Sequence, residues 1–130
     1  MNNTVLVLVV EDEPLILTLV EDALVEAGYA VLAAAGAEEA IEAIQRRGTE
    51  FNALVSDIDL APGKLTGWDV ARLARETVAH LPVVYMTGHS GDEWTAHGVP
   101  ESILVAKPFA VAQIVTAVSQ LINGVRPGDA

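Results

Sequence analysis

The sequence predicts a doubly wound α/β fold built on a five-stranded parallel sheet in the order 2-1-3-4-5. Short apolar runs alternate with amphipathic helical patterns five times along the chain. Right-handed crossovers between parallel strands then place helices on both faces of the sheet. Acidic, hydroxyl or ammonium side chains follow every predicted strand except the second, which this order places at an edge.

Each element is identified by its apolar spacing and by the residues that bound it. The predicted strands are residues 4–10, 30–34, 51–56, 83–86 and 103–106. The predicted helices are residues 14–27, 37–47 and 66–78, a short segment within 90–99, and a helix from 111 to about 124.

The first two strand–helix units are the clearest. Residues 4–10 are nearly all β-branched or leucine, as in a strand buried on both faces. Pro14 opens the first helix, Gly28 ends it, and Gly48 ends the second helix. The predicted buried stripe of the first helix is Ile16, Val20, Ala23, Leu24 and Ala27, and that of the second is Ala40, Ile41 and Ile44.

The third helix follows a Pro/Gly loop after the third strand. Thr66 and Asp69 have the spacing of a capping box, which satisfies the first backbone N–H groups of a helix. Its predicted inward residues are Val70, Leu73, Ala74 and Val78. Pro82 stands at the start of the fourth strand, where a missing N–H does least harm.

The fourth helix is the weakest element, since Gly91 and Gly98 disfavour a helix there. The terminal helix has apolar spacing that stops near Gly124. Its apolar residues are Val111, Ile114, Val115, Val118, Leu121 and Ile122. We therefore expect one domain over residues 1–124 and a frayed tail over residues 125–130.

Composition excludes several classes of function. The net charge is −11 with only seven Lys and Arg residues, which argues against direct nucleic-acid binding. The chain has no cysteine, so a disulfide framework or a thiolate zinc site is impossible, and a reducing cytoplasm fits best. The first apolar run is too short to span a membrane and lacks the flanks of a signal peptide, so no membrane insertion is expected.

The candidate functional residues stand at the ends of predicted strands. Glu11 and Asp12 follow the first strand, Asp57 the third, Thr87 the fourth and Lys107 the fifth. The carboxyl ends of parallel strands line one crevice, so these side chains are expected to converge. Carboxylates with a hydroxyl and an ammonium suggest phosphoryl chemistry that depends on Mg²⁺, or alternatively Mn²⁺.

These motifs together resemble the receiver domain of bacterial two-component response regulators over essentially the whole chain. The motifs are V-V-E-D-E-P, V-S-D-I-D-L, Y-M-T-G and K-P-F. The resemblance implies a flavodoxin-like (βα)₅ fold and a phosphoryl group accepted on Asp57 from a histidine kinase or a histidine phosphotransfer protein. It implies a signalling phosphoprotein rather than an enzyme, although one that assists its own phosphorylation and dephosphorylation.

Within that resemblance the residues take defined roles. Asp12, Asp57 and the backbone carbonyl of Asp59 form a plausible Mg²⁺ shell, and Glu11 is expected to act through a bound water. The Asp59 side chain is expected to point to solvent. Thr87 would donate a hydrogen bond to the phosphoryl group and Lys107 would offset its charge. The family also implies a cis bond between Lys107 and Pro108.

Three departures from the family pattern stand out. The loop after Asp57 is about two residues longer than usual, so its effect on phosphorylation is open. Leu104 stands where many members have a Tyr or Phe that moves inward on activation, so switching is expected to rely on Thr87 and the weak fourth helix. Gly88 and His89 follow the threonine; the first leaves the pocket open, and the second could order or exclude water.

No output domain is recognised after the fifth unit, so a single-domain regulator that acts through an unknown downstream protein is expected. The fifth helix is rich in apolar residues, and its Ala112 and Ala117 suggest smooth patches for a partner or for a homodimer on the strand 4 to helix 5 face. An ordinary alanine-rich helix explains the same pattern equally well.

Other readings remain open. A pseudo-receiver that binds a partner without phosphorylation would contain the same residues. A haloacid-dehalogenase-type phosphatase is suggested by D-I-D-L, but that motif belongs on the first strand and here follows the third. A dinucleotide site is disfavoured because no G-x-G-x-x-G follows the first strand.

Overall fold

The computed structural model describes residues 4–60, 65–88 and 93–124. Its five strands are all parallel and lie in the order β2-β1-β3-β4-β5, so the predicted sheet is confirmed. The strands are Leu6–Val10 (β1), Ala30–Ala34 (β2), Ala53–Asp57 (β3), Val83–Thr87 (β4) and Ile103–Ala106 (β5). The helices are Pro14–Glu26 (α1), Ala37–Arg47 (α2), Gly67–Thr77 (α3), Trp94–His97 (α4) and Val111–Ile122 (α5).

The sheet separates two apolar clusters. One cluster lies between the sheet and α2, α3 and α4, and the other lies between the sheet and α1 and α5. Alternate residues of the central strands enter the two clusters, so β1, β3 and β4 are almost entirely buried. The candidate residues lie at the carboxyl ends of the strands, where ligands bind in parallel sheets of this kind.

Strands β1 and β3 begin two residues later than predicted, and for β3 the cause is a backbone bond just before the strand. Phe51 donates its N–H to the Gly48 carbonyl, which closes a short 3-10 helix over Gly48–Glu50 and keeps residue 51 out of β3. The Asn52 side chain accepts the N–H of Leu6 at 2.9 Å. Strand β3 in turn extends one residue further than predicted and includes Asp57.

The boundaries of α1 and α3 follow their capping residues. The capping box predicted for α3 is present, with Thr66 as the N-cap and the Asp69 carboxylate accepting the Thr66 N–H at 2.8 Å. Helix α1 ends at Glu26, and Gly28 turns the chain with a φ of 104°. Ala27 is consequently exposed and does not belong to the buried stripe predicted for α1.

The fourth helix is shorter than the segment predicted to contain it. In the described part of the chain α4 covers only Trp94–His97 and ends at Gly98. Residues 61–64 of the long loop, residues 89–92 with His89 and Gly91, and the tail at 125–130 lie outside the described residues. No described helix is long and apolar enough to cross a membrane.

Candidate functional site

The residues predicted at the strand ends do come together. Lys107, directly after β5, places its Nζ 2.9 Å from Glu11 Oε1 and 3.2 Å from Asp57 Oδ2. Lys107 also donates its backbone N–H to the Thr87 carbonyl at 2.7 Å, which ties the end of β4 to the start of the β5–α5 connection. Residues separated by up to 96 positions in sequence thus form one cluster.

Three carboxylates of this cluster are arranged to hold a cation. One carboxylate oxygen each from Glu11, Asp12 and Asp57 lies within 4.8 Å of the other two. Glu11 and Asp57 are buried and Asp12 is half-buried. Hard carboxylate oxygens are the donors that Mg²⁺ prefers, so the residues present fit this ion.

Burial and charge shift the protonation of the cluster. Burial, together with the nearby Asp57 carboxylate, raises the pKa of Glu11 to about 7, and the hydrogen bond from Lys107 only partly opposes this. Burial alone would lower the pKa of Lys107, but its bonds to Glu11 and Asp57 outweigh that effect and raise it. Three carboxylates with one shared ammonium leave an excess of negative charge that a divalent cation would neutralise.

Asp59 is the fourth residue predicted for the metal shell, and its side chain is exposed as expected. Its backbone N–H donates to Asp57 Oδ1 at 3.2 Å, which orients the Asp57 carboxylate. The carboxylate oxygens that cluster belong to Glu11, Asp12 and Asp57, so ligation by the Asp59 carbonyl stays a prediction.

The remaining predicted residues lie at the end of β4 and directly after β5. Thr87 is the last residue of β4 and is buried, while Gly88 is exposed with open space where a Cβ would stand. The bond between Lys107 and Pro108 is cis, as the family resemblance implied.

One residue that shapes the site was not recognised in the sequence. A Cβ on Gly67 would overlap the carbonyl oxygen of Asp57 and stand 2.8 Å from Ile58 Cα. The Gly67 N–H donates to the Ile58 carbonyl at 2.9 Å, so the first turn of α3 lies directly on the end of β3. In the sequence Gly67 was recognised only as the glycine that ends the lengthened loop after Asp57, and its contact with β3 depends on the tertiary fold.

Two further sequence interpretations are modified by the structure. Ala117 is buried in α5 and cannot form an exposed patch, whereas Ala112 is exposed. Leu104 is half-buried and packs against the cluster on the α3 side of the sheet.

Comparison with known proteins gives consistent results over most of the chain. Residues 7–119 match the family model described as the response regulator receiver domain. A response regulator receiver protein from Sinorhizobium medicae is 40% identical, with a TM-score of 0.88 over 95% of this chain and 98% of that chain.

Two curated proteins are similar over part of their length. The regulator PhyR of Methylorubrum extorquens is 31% identical over 89% of this chain and 43% of its own length. The sensor kinase CckA of Brucella abortus is 29% identical over 90% of this chain. The chain spans only 12% of CckA and less than half of PhyR.

Proposed function

The chain belongs to the response regulator receiver domains, and on that premise we propose that it accepts a phosphoryl group on Asp57 from a histidine kinase or a histidine phosphotransfer protein. The observation that carries this proposal is the position of the Asp57 carboxylate. It lies within one cluster with two further carboxylates and within 3.2 Å of the Lys107 ammonium. This family consists of signalling domains, and a role in two-component signalling follows for the chain.

The proposed reaction is an in-line displacement at phosphorus. A carboxylate oxygen of Asp57 forms the new P–O bond while the P–N bond to the donor histidine breaks, and the imidazole leaves with the electron pair. The product is an acyl phosphate. Its hydrolysis by water regenerates the carboxylate and releases inorganic phosphate.

Glu11, Asp12 and Asp57, with the carbonyl of Asp59, would hold Mg²⁺ or Mn²⁺, which supplies positive charge to the oxygens of the transferred group. Lys107 is already within ion-pair distance of Asp57 and offsets charge on the phosphoryl oxygens. Thr87 donates its hydroxyl to one of those oxygens. The chain thereby assists both its own phosphorylation and its dephosphorylation.

The phosphodonor is proposed to dock beside this pocket on α1. Leu15 and Leu19 lie one turn apart on α1 and are 71% and 50% exposed. Leu19 borders a groove of about 380 Å³ that also contains Lys107 and Phe109. A partner bound in this groove would present its histidine next to Asp57.

Intact-mass measurement after incubation with acetyl phosphate and Mg²⁺ tests the phosphoacceptor. We expect wild type to gain the mass of one phosphoryl group, and Asp57→Asn or chelation of the metal to abolish the gain. Asp22→Asn, an exposed acid on α1, is the matched control and should be modified like wild type. Lys107→Ala should still bind Mg²⁺ but transmit no signal.

An adduct that persists in Asp57→Asn would contradict this assignment. No adduct on wild type would favour the pseudo-receiver reading, and turnover of a phosphomonoester would favour the phosphatase reading.

The docking surface has its own test. Leu19→Ser should slow phosphotransfer from phosphorylated histidine phosphotransfer proteins by roughly tenfold, as for loss of one apolar anchor, while phosphorylation by acetyl phosphate stays unchanged. Val25→Ser removes a similarly exposed apolar residue of α1 that does not line the groove and should change neither rate. Equal slowing by the two substitutions would contradict the assignment.

The further partners follow from the same premise. The chain is proposed to pass on its signal by contact with a downstream protein in the cytoplasm, through the face formed by β4 to α5. A homodimer through the same face is the alternative. A shallow groove of about 340 Å³ between β5 and α5, bordered by Ile103 and Ala112, supports a protein contact at this face. A molar mass that is independent of concentration, with and without the phosphoryl group, would remove the homodimer.

A further inference from the structure

The end strand β2 turns a row of backbone groups away from the sheet. Among the described residues, β2 pairs with β1 alone. Ala30 donates its N–H to the carbonyl of the residue before β1, and the Ala34 carbonyl accepts the N–H of the residue after β1. The backbone groups of the even-numbered residues therefore face β1, and those of the odd-numbered residues, Val31 and Ala33, face outward.

Strand β2 has none of the features that usually block such an edge. Its sequence, AVLAA, contains no charged residue and no proline, and four of its five residues are partly exposed. Its register with β1 is continuous, without a bulge. Natural edge strands normally prevent pairing with another chain by means of charges, prolines or bulges. The edge of β2 is therefore a template on which a further strand can add.

The helix that follows β2 divides its charges between its two halves. The exposed charged residues of α2 are Glu38, Glu39 and Glu42 in the first half and Arg46 and Arg47 in the last turn. Glu39 accepts the Ala35 N–H at 2.7 Å, so the acidic half lies at the end of β2 and the basic half at its start. A groove of about 290 Å³ between β2 and α2 is bordered by both halves of the helix and by Leu32.

We propose that β2 binds β2 of a second copy of this chain, antiparallel and about a twofold axis at Leu32, so that one continuous sheet runs through both chains. In this register Val31 lies opposite the second copy's Ala33, and each outward N–H and C=O meets a partner. The backbone of Leu32 faces β1, so the two Leu32 residues form a non-hydrogen-bonded pair, in which side chains lie closest together. Leu32 packs on the α2 side of the sheet, so this pair would lie in the groove beside α2.

The charges of α2 identify a second copy as the partner. The twofold axis reverses the direction of α2, so the acidic half of one chain faces the basic half of the other at both ends of the interface. A partner strand flanked by charge of one sign would instead meet like charge at one end of α2. At a net charge of −11 two copies repel each other at longer range, so opposite charges at the contact itself are needed to hold them.

Glu42 and Arg46 are the charges most able to pair across the axis. Within one chain they form an ion pair at 3.2 Å, and their side chains are 61% and 75% exposed. An exposed ion pair within a helix contributes little to stability, so both side chains can turn to the second copy at small cost. Arg47, by contrast, is held by two hydrogen bonds to Glu50. Charge reversal at positions 42 and 46 thus probes the interface while the fold stays intact.

Pairing at β2 leaves the candidate functional site accessible. Strand β2 contributes no residue to the cluster of Glu11, Asp12 and Asp57, and the face formed by β4 to α5 lies at the other end of the sheet. Because the two β2 strands are antiparallel, the two clusters would lie on opposite edges of the joined sheet. This inference goes beyond the proposed function and does not depend on phosphorylation of Asp57.

Sedimentation equilibrium of wild type over a wide range of concentration should show monomer and dimer in equilibrium. Glu42→Lys and Arg46→Glu each place like charges across the axis at two symmetry-related contacts, and each should raise the dissociation constant by about tenfold. The double substitution Glu42→Lys/Arg46→Glu restores opposite charges and should dimerise like wild type. The single substitutions change the net charge in opposite directions, so an effect of net charge alone would shift the two dissociation constants in opposite directions.

Glu76→Lys is the matched control. Glu76 is exposed on α3, which packs on β3, two strands away from β2. This substitution changes the net charge just as Glu42→Lys does, but it lies outside the proposed interface. It should therefore not raise the dissociation constant.

Backbone pairing has a readout of its own. Hydrogen exchange of the Val31 and Ala33 amides, measured by NMR, should slow as the concentration rises, whereas exchange of the Leu32 amide, which faces β1, should change little. Ala33→Pro removes one outward N–H, a substitution that an edge strand accommodates, and should abolish the dimer. If this variant does not fold, the charge variants and the wild-type amides still decide.

A molar mass that is independent of concentration would overturn the proposal, as would a dimer that neither charge reversal weakens. Failure of the double substitution to restore dimerisation would also contradict the pairing of α2 charges across the axis. A dimer that is lost in Ala112→Lys but kept in both charge reversals would place the second copy at the groove between β5 and α5 instead. The acyl phosphate measurement is independent of all these results, so the proposed function is decided separately.

Discussion

Lys107 is shared between Glu11 and Asp57, and this sharing determines the electrostatics of the pocket. The ammonium stands closer to Glu11 than to Asp57, and Glu11 is completely buried. Without a metal ion, a buried carboxylate beside a second carboxylate is costly to ionise, and the raised pKa of Glu11 expresses that cost. The ionised carboxylates of this cluster therefore destabilise the fold unless a cation neutralises them.

Glu11→Gln should stabilise the metal-free protein at pH 8 by roughly 1–3 kcal/mol. The folded state raises the pKa of Glu11 from 4.5 to about 7, so between these values it binds more protons than the unfolded chain. The contribution of Glu11 to the stability of wild type is therefore fully present below pH 4.5, and it is lost as the pH rises through about 7. Urea denaturation in EDTA between pH 5 and 8 measures the difference.

Glu26→Gln, an exposed change on α1, serves as the control and should follow wild type at every pH. An advantage of Glu11→Gln that is the same at pH 5 as at pH 8 would contradict the assigned titration. Mg²⁺ should narrow the gap at pH 8, because it neutralises the ionised carboxylate of wild type.

The residues of the pocket differed in how far the sequence could reveal them. Glu11, Asp57, Thr87 and Lys107 were recognised because strand ends of a parallel sheet must meet at one edge. The contacts of Tyr85 could not be predicted, because the Val99 N–H that its hydroxyl accepts lies across a loop and its register with Leu104 is set by strand pairing.

At the scale of elements, α3 and β3 meet where Asp57 ends its strand. Gly67 is the first residue of α3, and the carbonyl oxygen of Asp57 occupies the space that a side chain would need. The backbone conformation of Gly67 is not the constraint, since the close approach alone excludes a Cβ. The position of Asp57, the proposed phosphoacceptor, thus depends on the start of the following helix.

Gly67→Ser should destabilise the fold by about 1–3 kcal/mol through overpacking and slow phosphorylation by acetyl phosphate, because the Asp57 backbone must shift. Gly36→Ser is the matched control: Gly36 is the N-cap of α2, with an extended backbone and open space around its Cα. Serine is favourable at an N-cap, so this variant should be at least as stable as wild type. Thermal denaturation and the acetyl phosphate assay measure both effects, and equal behaviour of the two variants would contradict the contact.

Element boundaries were predicted where side chains mark them and missed where backbone bonds decide them. The capping box of Thr66 and Asp69 fixed the start of α3 correctly. The late start of β3 could not be anticipated, because it follows from a 3-10 turn closed by the backbone of Phe51. Helices α2 and α5 have strong apolar periodicity, and their described ranges agree with prediction.

For the whole molecule, the sheet is shared by both apolar clusters. Strands β1, β3 and β4 contribute alternate residues to each cluster, so neither cluster can be lost while the other stays packed. The order of strands was predictable from the sequence, because the alternation of elements and the placement of polar strand ends permitted few topologies.

Unfolding should therefore be a single cooperative transition. Both tryptophans, Trp68 and Trp94, lie on the α3 side of the sheet, so their fluorescence reports on one cluster, whereas far-UV circular dichroism reports on all helices. We expect the two urea transitions of the metal-free protein to coincide within error. A fluorescence midpoint clearly below the dichroism midpoint would show that the α3 side opens independently.

The pairing of Tyr85 with Leu104 also makes the two side chains interchangeable in principle. Exchanging them conserves the summed volume of the layer, whereas either single replacement leaves a void or forces a clash. The double exchange would return an aromatic residue to its customary strand and deprive Val99 of its hydroxyl acceptor. When receiver domains that lack the aromatic residue on β5 are compared, the paired positions on β4 and β5 should therefore be considered together, and the β5 position should not be considered alone.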